Sequence, residues 1–269
     1  MQPSATHSSD PSPSSPIREL SLSRPPAAPA SSLRRSPVDL EIVIPALNEA
    51  NRISLTLRQT MEFLEFQAWS SRIVVVDNGS VDDTGVVVGS FARNCQGPVP
   101  VVLVGCSSPG KGAAVRRGLL SGTSRFTGFF DADLATPVET LDIVMKCLAD
   151  GAGAVIASRH AAGSTFVRPQ HLTRRLGGGA FRMLTRDMVH GVTDTQCGFK
   201  FFERGAVTRA LVQCRTLGFA FDVELLQRLQ HNGDRIVEIP VAWTDGTGST
   251  FHPLRDGIAS FASVVQMHR

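Results

Sequence analysis

Phe129-Phe130-Asp131-Ala132-Asp133-Leu134-Ala135-Thr136-Pro137 is the stretch from which the rest of the chain is read. Two large apolar residues run into two carboxylates one residue apart, and a proline then opens a new element. At a strand end, side chains at i and i+2 point to one face, so Asp131 and Asp133 converge. Two converging carboxylates repel unless a cation lies between them. A hard divalent ion that keeps several waters and takes one or two carboxylates plus phosphate oxygens meets that need. The competing reading is a solvated turn ahead of a proline-started helix.

The flanking sequence alternates short apolar runs with longer amphipathic ones. Residues 40–45, 72–76, 100–104, 126–130 and 154–157 read as strands rich in β-branched or aromatic residues. Helices are expected over residues 51–66, from 82 or 83 to 93, 113–120 and 138–149. Strands nearly continuous in apolar residues and separated by helices predict an α/β fold, a mostly parallel sheet with helices on both faces. In such sheets ligands bind beyond the carboxyl ends of the strands. The turns at Pro45 to Asn48, Asp77 to Ser80, Gly105 to Lys111 and Asp131 to Asp133 each follow a different strand, so all four fall on one edge.

Each turn has its own chemistry. Asp77 can accept from ribose hydroxyls or a base N–H, or simply cap the Gly79-Ser80 turn. Pro109-Gly110-Lys111-Gly112 opens a helix whose free N–H groups and lysine favour an anion such as diphosphate; it lacks the Walker spacing, and a plain glycine-rich loop is the alternative. Together these residues describe a pocket for a nucleoside-diphosphate compound, with base and ribose toward Asp77 and phosphates toward Asp133.

Composition narrows the class. With 42% hydrophobic and 19% charged residues the chain is ordinary for a globular protein, and a net charge of +3 does not point to nucleic acid. Five cysteines without a Cys-x-x-Cys read as reduced thiols of a cytoplasmic protein. Residues 1–37, rich in Ser, Pro and Ala, read as a disordered tail without the apolar region of a secretory signal. No apolar run is long enough to suggest a transmembrane helix. Residues 38–158, which carry the four turns, and residues 159–269 read as two halves of one domain.

Ile44-Pro45-Ala46-Leu47-Asn48-Glu49, Val76-Asp77-Asn78-Gly79-Ser80, Gly110-Lys111-Gly112 and Asp131-Ala132-Asp133 resemble, in order and spacing, the family 2 glycosyltransferases of GT-A fold. Asp194-Thr195-Gln196-Cys197-Gly198-Phe199-Lys200 and Phe219-Ala220-Phe221-Asp222-Val223-Glu224 are similar to the polyprenyl-phosphate branch that includes dolichyl-phosphate β-glucosyltransferases. The resemblance implies that Pro45, Asn48, Glu49 and Asp77 line the nucleotide pocket, with Gly110 and Lys111 beside them. It implies that Asp131 and Asp133 sit at the donor diphosphate and its Mg2+ or Mn2+, and that Arg159 belongs to the substrate site. Gln196 and Lys200 would lie in a loop facing the acceptor, and Asp222 near the reacting sugar carbon. Leu47, Gly218-Phe219 and Leu134 depart from the tyrosine, tryptophan and glycine usual in the family.

Between residues 159 and 190 six arginines interleave with apolar residues against the single acid Asp187, a pattern suited to an acceptor phosphate or an anionic membrane face. Residues 243–249 form a glycine-rich stretch that in the family closes over the donor; a surface turn is the alternative. The expected activity is metal-dependent, inverting transfer of a hexose, glucose by resemblance, from a nucleotide-diphosphate sugar such as UDP-glucose to a polyprenyl phosphate or other phosphate. The expected location is cytoplasmic, with peripheral contact at the inner face of a membrane. The alternatives are a transferase acting on a soluble hydroxylated metabolite and a sugar-nucleotide pyrophosphorylase.

Overall fold

The computed structural model describes residues 38–95, 97–166, 183, 185–218 and 220–244. Its centre is a seven-stranded sheet. Strand β1 (Leu40–Ala46) pairs in parallel with β2 (Ser71–Asp77) and β4 (Phe126–Phe130), and β2 pairs with β3 (Val101–Gly105). Strand β7 (Phe199–Glu203) runs antiparallel between β4 and β5 (Ala154–Ser158), and β8 (Ile236–Pro240) closes the edge parallel to β5. The order is β3-β2-β1-β4-β7-β5-β8. A separate two-stranded sheet joins β6 (Thr165–Phe166) to β9 (Ala242–Trp243).

The alternation of side chains along each strand builds two cores. Ile42, Ile44, Phe130 and Phe199 face one way and pack with α1 (Ile53–Leu64), α2 (Thr84–Asn94) and α4 (Thr140–Ala149). Val43, Phe129 and Phe202 face the other way, against α3 (Lys111–Leu119), α5 (Arg204–Gln213) and α6 (Phe221–His231). Phe130 stacks on Phe199 at 5.8 Å and Phe129 on Phe202 at 6.5 Å. Each such fully buried side chain contributes about 2–3 kcal/mol of transfer free energy, so the two rings of β4 alone tie the sheet to both helical layers.

Three sequence expectations change. Strand β7 and helix α5 are absent from the sequence reading, which treated residues 194–200 as a loop; Lys200, inside an otherwise aromatic run, made the strand look polar. Helix α5 carries its own start signal, the Glu203 carboxylate accepting from the N–H groups of Gly205 and Ala206 at 2.9 and 2.7 Å. Residues 235–241, whose pattern reads as one further strand pair broken by Pro240, contribute strands that do not pair with each other. Pro240 ends β8 in the main sheet, and β9 joins the small one.

Register aligns the future site. Ala46 lies opposite Asp77 and Asp77 opposite Gly105, so β1, β2 and β3 end level. Strand β5 runs in the same sense as β4, bringing Arg159 to the same edge. The antiparallel β7 brings its beginning there instead: Phe199 pairs with Phe130, and the Asp131 N–H donates to the Gly198 carbonyl at 3.0 Å.

Candidate active site

The two non-glycine residues with positive φ among the described residues, Asn48 at 58° and Leu134 at 48°, both lie on this edge. Left-handed backbone at such positions is held by its surroundings and clusters at functional sites. Asn48 is fixed on both sides: its N–H donates to Ser80 Oγ at 3.0 Å, and its Oδ1 accepts from the Val81 N–H at 2.9 Å. Beside it the Glu49 N–H donates to Thr84 Oγ1 at 2.8 Å and the Glu49 carboxylate meets Arg52 at 2.6 Å. Pro45 lies within β1 opposite Val76. The loop after β1 is therefore clamped to the loop after β2.

Asp77 serves as the turn cap that its sequence context allowed, Oδ1 accepting from the Ser80 N–H at 3.0 Å. Asn78, which the sequence reading did not single out, pins the next loop: its Nδ2 donates to the Ser108 carbonyl at 2.7 Å and its Oδ1 accepts from the Gly110 N–H at 2.9 Å. The start of α3 is docked as well, for the Ala113 N–H donates to the Leu217 carbonyl at 3.1 Å. A Cβ at Gly110, whose φ is 113°, would stand 2.4 Å from that same oxygen. The Gly110 and Ala113 N–H groups are thus engaged within the protein, and the segment contributes one cation as well.

That cation, Lys111, reaches Asp131 Oδ1 at 2.6 Å. Burial pushes the ammonium down, but Asp131 and Asp222 together outweigh it and raise its pKa, so Lys111 stays charged. The Asp131 carboxylate rests on the bare Cα of Gly198; a Cβ there would lie 1.9 Å from Oδ2. Strand β4 ends at Phe130, so strand alternation is not what joins Asp131 to Asp133. They share a turn, in which Leu134 takes the left-handed conformation and Asp133 Oδ1 accepts from the Ala135 N–H at 3.1 Å. The Asp133 carboxyl titrates above its ordinary value, through burial first and the charge of Asp131 next. Glu49 is raised likewise, by burial, against Arg52, with Asp133 and Asp131 adding. Three carboxylates therefore feel one another across this edge, with Lys111 and Arg52 as their cations.

On the other side, Arg159 and Asp194 form a buried two-pronged pair, with Nε to Oδ2 at 2.7 Å and Nη2 to Oδ1 at 2.8 Å. The guanidinium also lies 5.6 Å from the Trp243 ring centroid. Burial pushes Asp194 up, but the hydrogen bonds and charge of Arg159 prevail and hold its carboxyl far below the usual range. Glu238 supports the same loop, its Oε1 accepting from the Asp194 N–H at 2.9 Å. Gln196 donates its N–H to Asp194 Oδ1 at 3.2 Å, while its buried Nε2 has no hydrogen-bond partner among the described residues.

Lys200 corrects the sequence reading most sharply. It lies in β7 rather than in a loop, is fully buried, and donates from Nζ to Asp222 Oδ1 at 2.7 Å and to the Cys197 carbonyl at 2.5 Å. Asp222, in the first turn of α6, is nearly as buried. Packing holds that helix close: a Cβ at Gly112 of α3 would stand 2.5 Å from the Phe221 Cβ. The thiols of Cys197 and Cys214 are pushed up by burial to about 11 and about 12, as packed rather than nucleophilic cysteines require. Arg168, Arg174, Arg175, Arg182, Phe219 and residues 245–249 lie outside the described residues, as does the tail over residues 1–37.

A family model described as Glycosyl transferase family 2 matches residues 41–210, which span the strands from β1 to β7 and the acidic edge between them. The chain belongs to that family. This family 2 transferase is 30% identical over 247 residues to the dolichyl-phosphate beta-glucosyltransferase of Dictyostelium discoideum, covering 87% of this chain and 76% of that protein. It is 34% identical over 221 residues to a dolichyl-phosphate beta-glucosyltransferase of Trichomonas vaginalis, covering 78% and 65%. In fold it is similar to glucosyl-3-phosphoglycerate synthase from Mycobacterium tuberculosis, solved with Mn2+, UDP-glucose and phosphoglyceric acid, with a TM-score of 0.63 at 18% identity over 85% of this chain and 80% of that one. The GT-A architecture expected of a family 2 glycosyltransferase is thus present, and the chain is an enzyme of the transferase class.

The acidic edge also suits a divalent ion. Asp131 and Asp133 offer hard oxygen donors whose mutual repulsion is only partly offset by Lys111. No cluster of three or more His, Cys, Asp or Glu side chains with metal-binding geometry occurs among the described residues. No helix among the described residues is long and apolar enough to cross a membrane.

Proposed function

We propose that this family 2 transferase moves glucose from UDP-glucose to a polyprenyl phosphate, with inversion at the anomeric carbon. The observation that carries the reading is the meeting of Asp131, Asp133 and Lys111 with Asp222 on one sheet edge, where Lys111 feels both Asp131 and Asp222. The dolichyl-phosphate beta-glucosyltransferases it matches support the choice of sugar and acceptor. Asp77 and Asn48 would line the nucleoside side of the site, with Lys111 at the diphosphate.

Asp133 and Asp131 would hold Mg2+ or Mn2+. Such an ion, when bound, supplies charge stabilisation for the departing diphosphate. Lys111 adds a fixed positive charge at the same place, which assists leaving-group departure more than substrate binding. A phosphate acceptor, with a second pKa of about 6, arrives ionised near neutrality. Its oxygen attacks the anomeric carbon, the bond to the donor diphosphate breaks, and no general base is required. Arg159 and Gln196 would lie toward the acceptor side. The arginine-rich sequence between residues 159 and 190 suits the anionic membrane face on which a lipid phosphate is displayed.

The test is nucleotide release by the purified protein with Mg2+ or Mn2+, across UDP-glucose, UDP-GlcNAc and GDP-mannose, with and without a short polyprenyl phosphate. Metal-dependent UDP release from UDP-glucose that rises with the lipid phosphate is the expected result. Release indifferent to the lipid would move the acceptor to a soluble metabolite, and absence of donor turnover would overturn the reading.

A further inference from the structure

Asp222 stands beside the proposed reacting carbon, where a bare carboxylate would oppose the entry of a phosphate dianion. In a cleft of low dielectric that repulsion is strong enough to weaken acceptor affinity severalfold to many-fold. The structure answers with a second charge placed behind the first. Lys200 is wholly buried; its ammonium donates to Asp222 Oδ1 at 2.7 Å and to the Cys197 carbonyl at 2.5 Å, and sits 5.5 Å from the Phe129 ring centroid. With two hydrogen bonds and an aromatic face, the ammonium is satisfied inside the protein and has no route to substrate. Its backbone is fixed in the middle of the sheet, opposite Phe129 on β4 and Ile156 on β5, so the charge cannot drift. Lys111, paired with Asp131 at 2.6 Å and partly exposed, also faces Asp222, but only Lys200 is hydrogen-bonded to it.

We propose that Lys200 is a positioning residue, an internal counter-ion that fixes the Asp222 carboxylate and cancels its charge so that an anionic phosphate acceptor can approach the donor sugar. This rests on the transferase reading above and deepens it. The acceptor oxygen forms the bond to the anomeric carbon, the carbon–oxygen bond to the donor diphosphate breaks with its electron pair leaving on the nucleoside diphosphate, and no proton changes hands. Asp222, with Oδ1 already bound to an ammonium, orients the sugar rather than deprotonating the acceptor.

Steady-state kinetics of K200M, D222N and K200M/D222N, with UDP-glucose and a short polyprenyl phosphate, tests this. K200M is expected to raise acceptor KM about tenfold or more while donor KM stays within about twofold. D222N, which leaves Lys200 unopposed, is expected to lower acceptor KM even as kcat falls, and the double variant to return acceptor KM toward that of the wild type. If K200M does not fold, the opposite shifts of D222N and the double variant, whose uncharged pair can pack in place of the ion pair, decide the matter. Equal rises in donor and acceptor KM, or loss of kcat with both KM values unchanged, would overturn the role of Lys200 while leaving the transferase intact. A wild-type protein without any donor turnover would instead overturn the transferase reading itself.

Discussion

Gly198 shows how one missing side chain can shape the acidic edge. Any Cβ there would collide with the Asp131 carboxylate, which must then swing away from Lys111. Gly198→Ala is expected to cost about 1–3 kcal/mol of stability through overpacking and to lower kcat/KM for the donor at least tenfold; calorimetry and donor-release kinetics would check the two effects separately. Asp194 gives a prediction of another kind. Its folded pKa lies below the unfolded value of about 3.9, so the stability it contributes is complete above about pH 4 and is lost as pH falls through the folded value. Asp194→Asn should therefore be less stable than the wild type at pH 7 by about 3 kcal/mol, the cost of leaving Arg159 without its partner. In urea titrations that gap should narrow as pH drops below about 4. A gap unchanged down to pH 2.5 would contradict the ion-pair account. At this scale the sequence was eloquent about which residues gather and mute about how they are paired. Asp131, Asp133 and Asp222 stand out as motif acids, whereas the lysines that pair with Asp131 and Asp222, Lys111 and Lys200, lie some twenty residues away and meet them only in the folded chain.

Among the elements, legibility followed burial pattern. Strands β1, β2, β4 and β5 are dominated by apolar residues, with Glu41, Arg72 and Thr127 as isolated interior polar positions, and their expected bounds lie within one residue of those observed, because a strand covered on both faces is mostly apolar. Strand β7 was missed because Lys200 interrupts it, and its lysine is tolerated only through the partner carried by α6. Helix α3 was read as beginning at residue 113, yet it starts at Lys111, since tertiary contacts with Leu217 and Asn78 hold a glycine-rich start that propensity alone disfavours. The opposite end of the sheet carries its own test. Glu41 on β1 is fully buried between Arg72 of β2 and Arg204 of α5, and packs on Gly122. Glu41→Ala leaves two guanidinium groups facing a void, and a loss of about 3–5 kcal/mol is expected. Because it lies at the amino end of β1, away from the acidic edge, thermal melting should fall while the KM for UDP-glucose in the folded fraction stays unchanged. Gly112→Ala acts in the reverse sense. Its Cβ would push Phe221 and so displace Asp222, lowering kcat more than donor KM.

For the molecule as a whole, the architecture was the most legible level, since four parallel strand ends with polar turns can converge only on one edge. What the sequence could not reveal is that this edge is assembled by strands of both senses. At this scale the decisive manipulation is the ion: a chelator should abolish donor release reversibly, with Mg2+ or Mn2+ restoring it and the melting temperature of the ligand-free protein barely altered, because the two hydrophobic cores and not the acidic edge carry the fold. A large fall in melting temperature on chelation would indicate a structural ion instead.

The reversed direction of β7 has one more consequence. Because β5 runs toward the acidic edge and β7 away from it, the chain leaves the sheet at Ser158 and re-enters it at Phe199 on the same rim. Both ends of the intervening segment are anchored to rigid strands, like a handle fixed at two points. Such a segment can change length and composition over evolutionary time without altering strand order. Exchange of residues 160–193 with the corresponding stretch of a relative is thus expected to carry acceptor preference with it while donor preference stays with the recipient, a modularity that an all-parallel sheet would not have provided at this position.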